Sequence, residues 1–341
     1  MLTYEERLSV ALKKELEKVV DLDTKSLYPS VAQKLSSCPV CGEIEYGIYC
    51  IKDHFVHKIC KKCEMIYVDP RMNQAATVAF YNSEVNEVYN EIKFHSIEHT
   101  TADDTENLKN YELLKKHISD VKGKKLLEIG PGKGTFLAKA ASDGFEVHAI
   151  ELNSLLIERL KKTTDKIYVQ DILELDLPAD YFDVIYFRDV MEHIPDISPF
   201  LQKVKQVLKP AGILFIDTHN IDSLINRATR EYHTVIFAFE HPVHWSPKTL
   251  SLAGTLAGLT PQNVYFDYSD LSLSRIIHYY LVPSFTYIFP PKRSKLRKFV
   301  LGKILRILEI KPIHKLDISI CKFLALTTRK GAKMQVLFTK K

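Results

Sequence analysis

The stretch LLEIGPGKGTFL, residues 126–137, decides the fold of this 341-residue chain. A strand-like apolar run ends in three glycines, Gly130, Gly132 and Gly134, and a helix-like run follows them. A glycine turn between a buried strand and a helix is where an α/β sheet binds nucleotide-like ligands. The glycines allow a sharp turn and let a ligand lie against bare peptide. The stretch therefore predicts a parallel sheet with a ligand-binding loop at this point.

The same alternation of strand and helix continues on both sides of the loop. Between residues 124 and 219 the strand-like runs are KKLLEIG, FEVHAIE, KIYVQDI, FDVIYF and ILFIDTH, with helical patterns near 134–143, 154–162 and 196–208. Two more strands are expected at 262–268 and 333–339. Strands buried on both faces and separated by helices predict an α/β fold with a doubly wound, mostly parallel, seven-stranded sheet.

An acidic residue just before the glycines distinguishes two classes of ligand. A dinucleotide fingerprint would place Gly or Ala at position 135, where this chain has Thr135. Glu151 ends the next strand, 21 residues after Gly130, and a carboxylate there can accept both ribose hydroxyls. Glu128 would repel a pyrophosphate but suits a ligand that carries an ammonium and a sulfonium group. The charge pattern favours S-adenosylmethionine over NAD.

Four motifs in this order resemble those of class I methyltransferases, over roughly residues 105–270 plus a final strand. The last of them, LKPAG at 208–212, is similar to the Lys-Pro-Gly-Gly turn of that family, from which Ala211 departs. The resemblance implies a Rossmann-like fold and a cofactor site in which Asp171 and Ile172 meet the adenine and Asp189 flanks the methionine. The whole implied site consists of Glu128, Gly130, Gly132, Gly134, Glu151, Asp171, Ile172 and Asp189.

Two C-x2-C pairs precede this region. Cys38 and Cys41 are separated from Cys60 and Cys63 by 18 residues, a spacing expected of a four-thiolate zinc site. Such a site is closed and structural, because four protein ligands complete the tetrahedron. The segment resembles the zinc-ribbon-like part of a bacterial group of methyltransferases whose acceptors are often cell-surface sugars, glycans or related small molecules.

Histidines near the predicted carboxyl edge of the sheet are candidates for a general base. Methyl transfer to a hydroxyl or a carbon acid requires a base, and the pKa of histidine is suited to neutral pH. We rank His244 and His193 first and His241 next, with His219 as a further candidate. For each one the alternative is an ordinary structural histidine.

The C-terminal region is strongly basic. Residues 292–341 carry 15 Lys/Arg and only Glu309 and Asp317 as acids, a local charge of +13 in a chain of net charge +5. The segment from Arg293 to Ile310 predicts a basic amphipathic helix, which is typical of membrane-surface contact. We favour a lid packed on the catalytic domain as the role of this helix, with membrane-surface contact and a nucleic-acid contact as the alternatives.

These patterns together predict the domains and the location of the protein. We expect an N-terminal helix and linker at 1–35, a zinc-ribbon-like module at 36–70, connecting helices at 71–122 and a methyltransferase domain at 123–341, with a helical insertion at about 271–331. The connecting helices are expected over 73–90 and 103–121. The N-terminal helix has an apolar face formed by Leu8, Ala11, Leu12, Leu16 and Val19. The charged N-terminus and the absence of an apolar run of roughly 18 residues favour the cytoplasm, with peripheral contact at the inner membrane face as an extension.

The predicted activity is methyl transfer to a small-molecule, sugar, glycan or lipid-linked acceptor, at oxygen in the first instance. An RNA methyltransferase that uses the zinc module and the basic region is the second candidate, and a non-catalytic scaffold with this fold is the third. The acceptor, the oligomeric state and the choice among O-, N- and C-methylation do not follow from the sequence.

Overall fold

The computed structural model describes residues 4–85, 88, 97–268, 271–281, 288 and 295–341. The chain forms two compact units, each built from separate segments. The first unit contains Met1–Glu91, His219–Ser246 and Phe266–Met334, and the second contains Ile92–Thr218, Pro247–Tyr265 and Gln335–Lys341. Each unit combines segments from different parts of the chain, so the units do not test the predicted domain boundaries at 35, 70 and 122. These boundaries stay a prediction.

The strands and helices of the described residues are numbered here in chain order. The strands are β1 (Val20–Asp21), β2 (Ser26–Leu27), β3 (Ala32–Gln33), β4 (Tyr46–Lys52), β5 (Phe55–Cys60), β6 (Ile66–Val68), β7 (Arg71–Met72), β8 (Lys125–Ile129), β9 (Glu146–Ile150), β10 (Ile167–Tyr168), β11 (Phe182–Arg188), β12 (Leu208–His219), β13 (Val243–His244), β14 (Leu259–Asp267) and β15 (Lys333–Lys340). The α-helices are α1 (Tyr4–Val19), α2 (Gln74–Tyr81), α3 (Ile97–Lys115), α4 (Thr135–Asp143), α5 (Ser154–Leu160), α6 (Ile197–Val207), α7 (Leu224–Thr229), α8 (Pro247–Leu256), α9 (Leu273–Leu281), α10 (Lys295–Leu308) and α11 (Lys311–Thr328).

The seven-stranded sheet has the order β10-β9-β8-β11-β12-β15-β14. The pairs from β10 through β12 are parallel, as expected of strands joined by helical crossovers. The predicted doubly wound, mostly parallel, seven-stranded sheet is confirmed. The strand order changes direction beside β8, so the glycine loop that follows β8 lies at the switch point where such sheets bind ligands.

Aromatic residues fill the core on one face of this sheet. The Phe136 ring stacks on Tyr186 with centroids 3.8 Å apart, and Tyr186 stacks in turn near Phe215. Phe136 is the first apolar residue of α4 to face the strands, so its burial fixes the helix directly behind the glycine loop. The cluster around these rings includes Tyr111, Leu126, Leu137, Ala140, Val147, Ala149, Val184 and Leu337.

Two predicted helices differ in the structure from what the sequence suggests. Within the range 73–90, α2 ends at Tyr81, because the Asn82 side chain donates to the Val78 carbonyl at 3.0 Å and competes with the helical pattern. Residues 84, 85 and 88 are helical again, so the predicted helix is interrupted at 82–83. Four residues of that prediction, at 86, 87, 89 and 90, lie outside the described residues. The helix expected over 103–121 is α3, and it ends at Lys115.

One predicted strand is shorter than expected. The strand predicted over 166–172 is only Ile167–Tyr168. Asp171 Oδ1 accepts from Leu173 N at 2.8 Å, a local contact that forms a turn in place of the last strand residues.

The first unit includes a second sheet, with the order β13-β6-β5-β4. β4, β5 and β6 form antiparallel pairs, and β13, from far along the chain, pairs with β6 through Val243 and His244. The apolar face predicted for α1 is buried in a cluster with Phe55, Phe80 and Phe239. The buried apolar residues that α1 contributes are Leu8, Ala11, Leu12, Leu16 and Val19.

The C-terminal helices α9, α10 and α11 contact one another within the first unit. Asp317, buried in α11, accepts from the backbone N–H groups of Leu273 and Ser274 at 2.8 and 3.0 Å. It thereby satisfies free donors at the beginning of α9. In the part of the chain that the structure describes, no helix combines the length and apolar character needed to cross a bilayer.

Candidate cofactor and metal sites

The loop after β8 carries the first group of predicted cofactor residues. Glu128 is the second-last residue of β8 and is 3% exposed. Its carboxylate is hydrogen-bonded by the Leu137 backbone N–H, while Oε2 has no hydrogen-bond partner among the described residues. Burial raises the pKa of Glu128 to about 8, although Arg188 opposes the shift. A buried carboxyl oxygen without a partner at this loop fits a cationic ligand group.

Two of the three glycines are required by close contacts. A Cβ at Gly134 would lie 2.5 Å from Leu160 Cδ2, and one at Gly130 would lie 3.0 Å from Val190 Cγ2. All three glycines have positive φ, and Gly134 occupies the N-cap position of α4 in the left-handed conformation. Nothing lies within 4 Å of a Cβ at Gly132, where the loop presents bare backbone. The loop thus has the open peptide surface that the sequence predicts.

Glu151 is held against this loop. Its Oε2 accepts from Gly132 N at 3.2 Å and its Oε1 accepts from Asn153 N at 2.8 Å. Glu151 is the first residue after β9, so the parallel neighbours β8 and β9 bring it beside the loop although 21 residues separate it from Gly130. The structure therefore places Glu128 on β8 and Glu151 directly after the adjacent strand β9.

The remaining predicted cofactor residues follow β10 and β11. Ile172 is buried, whereas Asp171 is exposed in the turn after β10. Asp189 directly follows β11 with φ of +52°, a conformation that non-glycine residues rarely adopt. Strain of this kind concentrates at functional sites. All these residues lie in the second unit, at the carboxyl ends of their strands.

Arg188 is a residue of this region that the sequence did not single out. It forms ion pairs with Asp103 and with Glu106, the latter at 3.0 Å, and both acids lie on α3. The guanidinium fixes α3 to the end of β11, next to Asp189. The sequence around Arg188 does not indicate this role, because the two acids of α3 that it pairs with lie more than 80 residues earlier in the chain.

The four predicted zinc ligands form one cluster in the first unit. The Sγ atoms of Cys38, Cys41, Cys60 and Cys63 all lie within 4.8 Å of one another. Cys38 Sγ is 3.6 Å from Cys63 Sγ, and Cys41 Sγ is 3.5 Å from Cys60 Sγ. A tetrahedral zinc with bonds of about 2.3 Å separates its sulfurs by about 3.8 Å. The cluster thus fits the ion in donor type, number and spacing.

The two cysteine pairs have the same local conformation. The Gly42 N–H donates to the Cys38 carbonyl and the Glu64 N–H donates to the Cys60 carbonyl, both at 3.0 Å. Gly42 and Glu64 have φ of +73° and +67°. Burial raises the pKa of the Cys38 thiol to about 11, so a nearby cation is needed to hold its thiolate at neutral pH. The repeated turn presents two sulfurs from each pair to a common centre.

The three candidate bases occupy different environments. His193 is half-buried at the end of a short 3-10 helix, Met191–His193, in the second unit. His244 lies on β13 in the first unit and is 4% exposed. His241 is half-buried in the first unit, and its Nδ1 lies 2.9 Å from the Val235 carbonyl oxygen. Because a carbonyl oxygen only accepts, Nδ1 of His241 carries a proton, and in the neutral ring Nε2 then carries the lone pair.

His57 and Lys52 belong to the surroundings of His244, and sequence reasoning gave neither of them a role. His57 Nδ1 lies 3.1 Å from His244 Nε2, and His57 Nε2 has no hydrogen-bond partner among the described residues. Burial lowers the pKa of Lys52 to about 7, and its ammonium donates to the His233 carbonyl at 3.3 Å. No local pattern marks these residues, because their partners are more than 180 residues away in sequence.

Comparison with known proteins finds a family that matches part of the chain. Residues 102–264 match the family model described as a methyltransferase domain. The resemblance to class I methyltransferases predicted from the motifs is confirmed over this range. The match includes the predicted cofactor residues from Glu128 to Asp189 and excludes the four cysteines.

Two relatives each match less than half of the chain. The ubiquinone biosynthesis O-methyltransferase of Rickettsia typhi is 34% identical over 143 residues, which is 40% of this chain and 55% of that protein. The enzyme of the same name from Actinobacillus pleuropneumoniae serotype 5b is 32% identical over 139 residues, 37% of this chain and 56% of that protein. The chain thus spans about half the length of these relatives.

The solved structures that match share little sequence with this chain. An S-adenosylmethionine-dependent methyltransferase from Archaeoglobus fulgidus is 16% identical, with a TM-score of 0.45, and the match covers 75% of this chain and all of that one.

Proposed function

We propose that the methyltransferase domain at residues 102–264 makes this protein an S-adenosylmethionine-dependent methyltransferase. One observation carries the proposal: Glu128 presents a buried carboxyl oxygen without a partner beside an open glycine loop at the switch point of the sheet. The ammonium of the cofactor supplies the missing charge. Glu151, Asp171, Ile172 and Asp189 would hold the ribose, the adenine and the methionine moiety as the family resemblance implies.

The chain contributes binding and proton handling to the reaction. S-adenosylmethionine, when bound, supplies an electrophilic methyl group. The protein holds the acceptor in line with that group, and positioning of this kind is worth about 7 to 11 kcal/mol. A hydroxyl acceptor must also lose its proton, and a correctly placed base contributes about 10²- to 10⁴-fold.

We infer that His241 is the proton acceptor, ahead of His244 and His193. The Val235 carbonyl fixes the tautomer in which His241 Nε2 carries the lone pair, as a base requires. His244 instead shares its Nε2 with His57 and is buried. His193 remains an alternative base because it too is half-buried.

The acceptor in this proposal is a small molecule methylated at oxygen. The names of the relatives, which are O-methyltransferases of ubiquinone biosynthesis, support a small-molecule acceptor. Within this class, the acceptor is a sugar, a glycan or a lipid-linked compound in the more specific versions of the proposal. The predicted peripheral membrane contact belongs to the same proposal, since a lipid-linked acceptor lies at a bilayer surface.

We also propose that Cys38, Cys41, Cys60 and Cys63 bind one structural zinc ion. The sulfur spacing and the absence of a further ligand position in a four-thiolate set support a closed site. The metal would join β5 to the turn that precedes β4, since each strand region supplies one cysteine pair. It has no part in the methyl transfer.

Calorimetric titration with S-adenosylmethionine tests the main proposal. We expect a single binding event in the full chain, and formation of S-adenosylhomocysteine when sugar nucleotides, phenols or lipid-linked sugars are supplied. A protein that fails to bind the cofactor would be the non-catalytic scaffold. Methylation of RNA in preference to these small molecules, with an affinity that falls steeply as salt rises, would support the RNA alternative.

A further inference from the structure

The outer surface of α10 and α11 exposes large apolar side chains. Phe323 is 65% exposed and Leu316 is 59% exposed. Single exposed apolar residues are ordinary, whereas a contiguous group marks an interaction surface. The group, here called the α10–α11 surface, consists of Phe299, Val300, Ile304, Ile307, Ile310, Leu316, Ile318, Ile320, Phe323, Leu324 and Leu326.

The spacing of these residues places most of them in stripes. In α11, Ile320, Phe323 and Leu324 lie four, seven and eight residues after Leu316. This spacing places the four side chains on one face of the helix. In α10, the residues at 300, 304 and 307 repeat the pattern. The sequence pattern predicts only the stripe of α10. The structure adds the longer one of α11.

The charge around the stripes has one sign. Lys303, Arg306, Lys311, Lys315 and Lys322 are all exposed. Of the two acids in this region, Asp317 is buried against the beginning of α9, and only the exposed Glu309 offsets the lysines and arginine. The surface therefore combines apolar stripes with a basic border.

We propose that the α10–α11 surface docks on a bilayer that contains anionic lipids. The apolar side chains would enter the boundary between headgroups and acyl chains, and the lysines and arginine would meet the phosphates. Docking would bring the protein to an acceptor in the bilayer, and only this part rests on the proposed function. Binding to lipid is measurable without any methyl transfer.

Two other occupants fit the surface less well. A second copy of the chain would bring two basic borders together, and like charges repel across an interface. Single-stranded RNA stacks its bases on aromatic side chains, but most of the exposed apolar residues of the surface are aliphatic. An anionic bilayer satisfies both the apolar and the basic components.

Vesicle sedimentation of the full chain tests the inference. We expect binding to vesicles of phosphatidylcholine mixed with phosphatidylglycerol, and at least about tenfold weaker binding to phosphatidylcholine alone, because the basic border then has no counter-charge. Raised salt should weaken the first interaction. The Leu316→Glu/Phe323→Glu variant should bind the mixed vesicles at least about tenfold more weakly than the wild type, since each change puts an acid into the apolar stripe.

A matched control separates this surface from general surface charge. Leu256, 60% exposed at the end of α8, is as exposed as Leu316, so Leu256→Glu adds an acid at an equally exposed apolar site elsewhere. This variant should bind the mixed vesicles like the wild type. Circular dichroism and thermal unfolding of each variant verify that it is folded, and Lys315→Glu/Lys322→Glu provides a second variant that leaves the apolar stripe intact.

Three results would overturn the inference. The first is a wild-type protein that does not bind mixed vesicles, whether or not it binds S-adenosylmethionine. The second is a folded Leu316→Glu/Phe323→Glu variant that binds them like the wild type. The third is a wild-type dimer in sedimentation velocity that this variant converts to monomer, which would assign the surface to a second copy of the chain. Failure of the methyltransferase proposal would appear separately, as absent cofactor binding with intact vesicle binding.

Discussion

His57 Nδ1 lies 3.1 Å from His244 Nε2, joining two imidazoles that are 187 residues apart in sequence. Both side chains are buried, and β5 and β13, which carry them, belong to the same sheet. One ring donates and the other accepts, so the accepting ring must be neutral. Burial, reinforced by Lys52, lowers the pKa of His57 to about 3, and burial also lowers the pKa of His244 well below its ordinary value.

This pair predicts a loss of stability in mild acid. Because the pKa of His57 is about 3 in the folded chain and 6.5 in the unfolded chain, protons bind the unfolded state first as the pH falls below about 6.5. The free energy of unfolding should therefore decrease between pH 7 and pH 5, by at most about 1.4 kcal/mol per pH unit for each histidine. Urea unfolding at several pH values measures this slope.

The His57→Gln/His244→Gln variant serves as the comparison for the pH slope. It removes both titrating rings but leaves His233 and the cysteine cluster, which also respond to acid. Its slope should be shallower than that of the wild type. Equal slopes in the two proteins would mean that the pair is not the source of the acid sensitivity.

The raised pKa of Glu128 predicts proton release when the cofactor binds. With a pKa of about 8, the Glu128 carboxyl is mostly protonated in the free protein at pH 7. A bound ammonium group favours the carboxylate and lowers that pKa, so binding should release up to about one proton per cofactor at pH 7 and progressively less above pH 8. Calorimetry in buffers of different ionisation enthalpy counts these protons.

Glu128→Gln tests the same interaction through the affinity for the cofactor. The amide keeps the shape but cannot carry the charge, so we expect at least about tenfold weaker cofactor binding, or about 1.4 kcal/mol, with no proton release. Asp143→Asn changes an acid on α4 that is paired with lysines outside the predicted site. It should leave the proton count unchanged, and a change in both variants would point to a general electrostatic effect.

The tautomer of His241 predicts a defined effect of its replacement. The side-chain amide introduced by His241→Asn can still donate to the Val235 carbonyl but cannot accept a proton at the position of Nε2. The turnover rate should fall by about 10²- to 10⁴-fold, and the rise of rate with pH should disappear, while cofactor affinity stays within about twofold. Steady-state rates across pH measure both.

His193→Asn is the paired test for the base. We expect a smaller loss of turnover than for His241→Asn. If His193→Asn instead removes the pH dependence while His241→Asn retains it, the base is His193 and the Val235 contact is only structural.

The cysteine cluster predicts one zinc per chain and its loss on a single substitution. Cys38→Ser removes one of four thiolates, so the purified variant should contain less zinc by elemental analysis and should unfold at a lower temperature. Apparent zinc affinity of roughly 10 to 16 kcal/mol contributes directly to folding in small modules. Cys321→Ser changes a half-buried thiol on α11 outside the cluster, and its zinc content should equal that of the wild type.

Cofactor affinity provides an independent check on the role of the metal. If the zinc is structural, Cys38→Ser should lower the unfolding temperature but change the affinity for S-adenosylmethionine little. Full stability and full metal content in Cys38→Ser would exclude the four-thiolate site.

Local patterns determined much of this protein. The glycine loop, Glu128 and Glu151 were predictable because a strand, a tight turn and a helix follow one another within a few residues, and backbone conformation is set by such near neighbours. The cysteine pairs were predictable for the same reason, since each pair is contained in one turn. The parallel sheet followed from the repeated apolar runs. Its strands begin and end within a few residues of those runs, except that β10 is shorter and β12 begins earlier, at Leu208.

Tertiary structure alone decided the contacts between residues that are distant in sequence. The partnership of His57 with His244 depends on β13 pairing into a sheet whose other strands lie at residues 46–68. Nothing nearby in sequence specifies it. The order among the candidate bases likewise depends on which backbone carbonyl meets His241. Burial and hydrogen bonding, which set protonation and tautomer, exist only after the chain has folded, so no local pattern contains them.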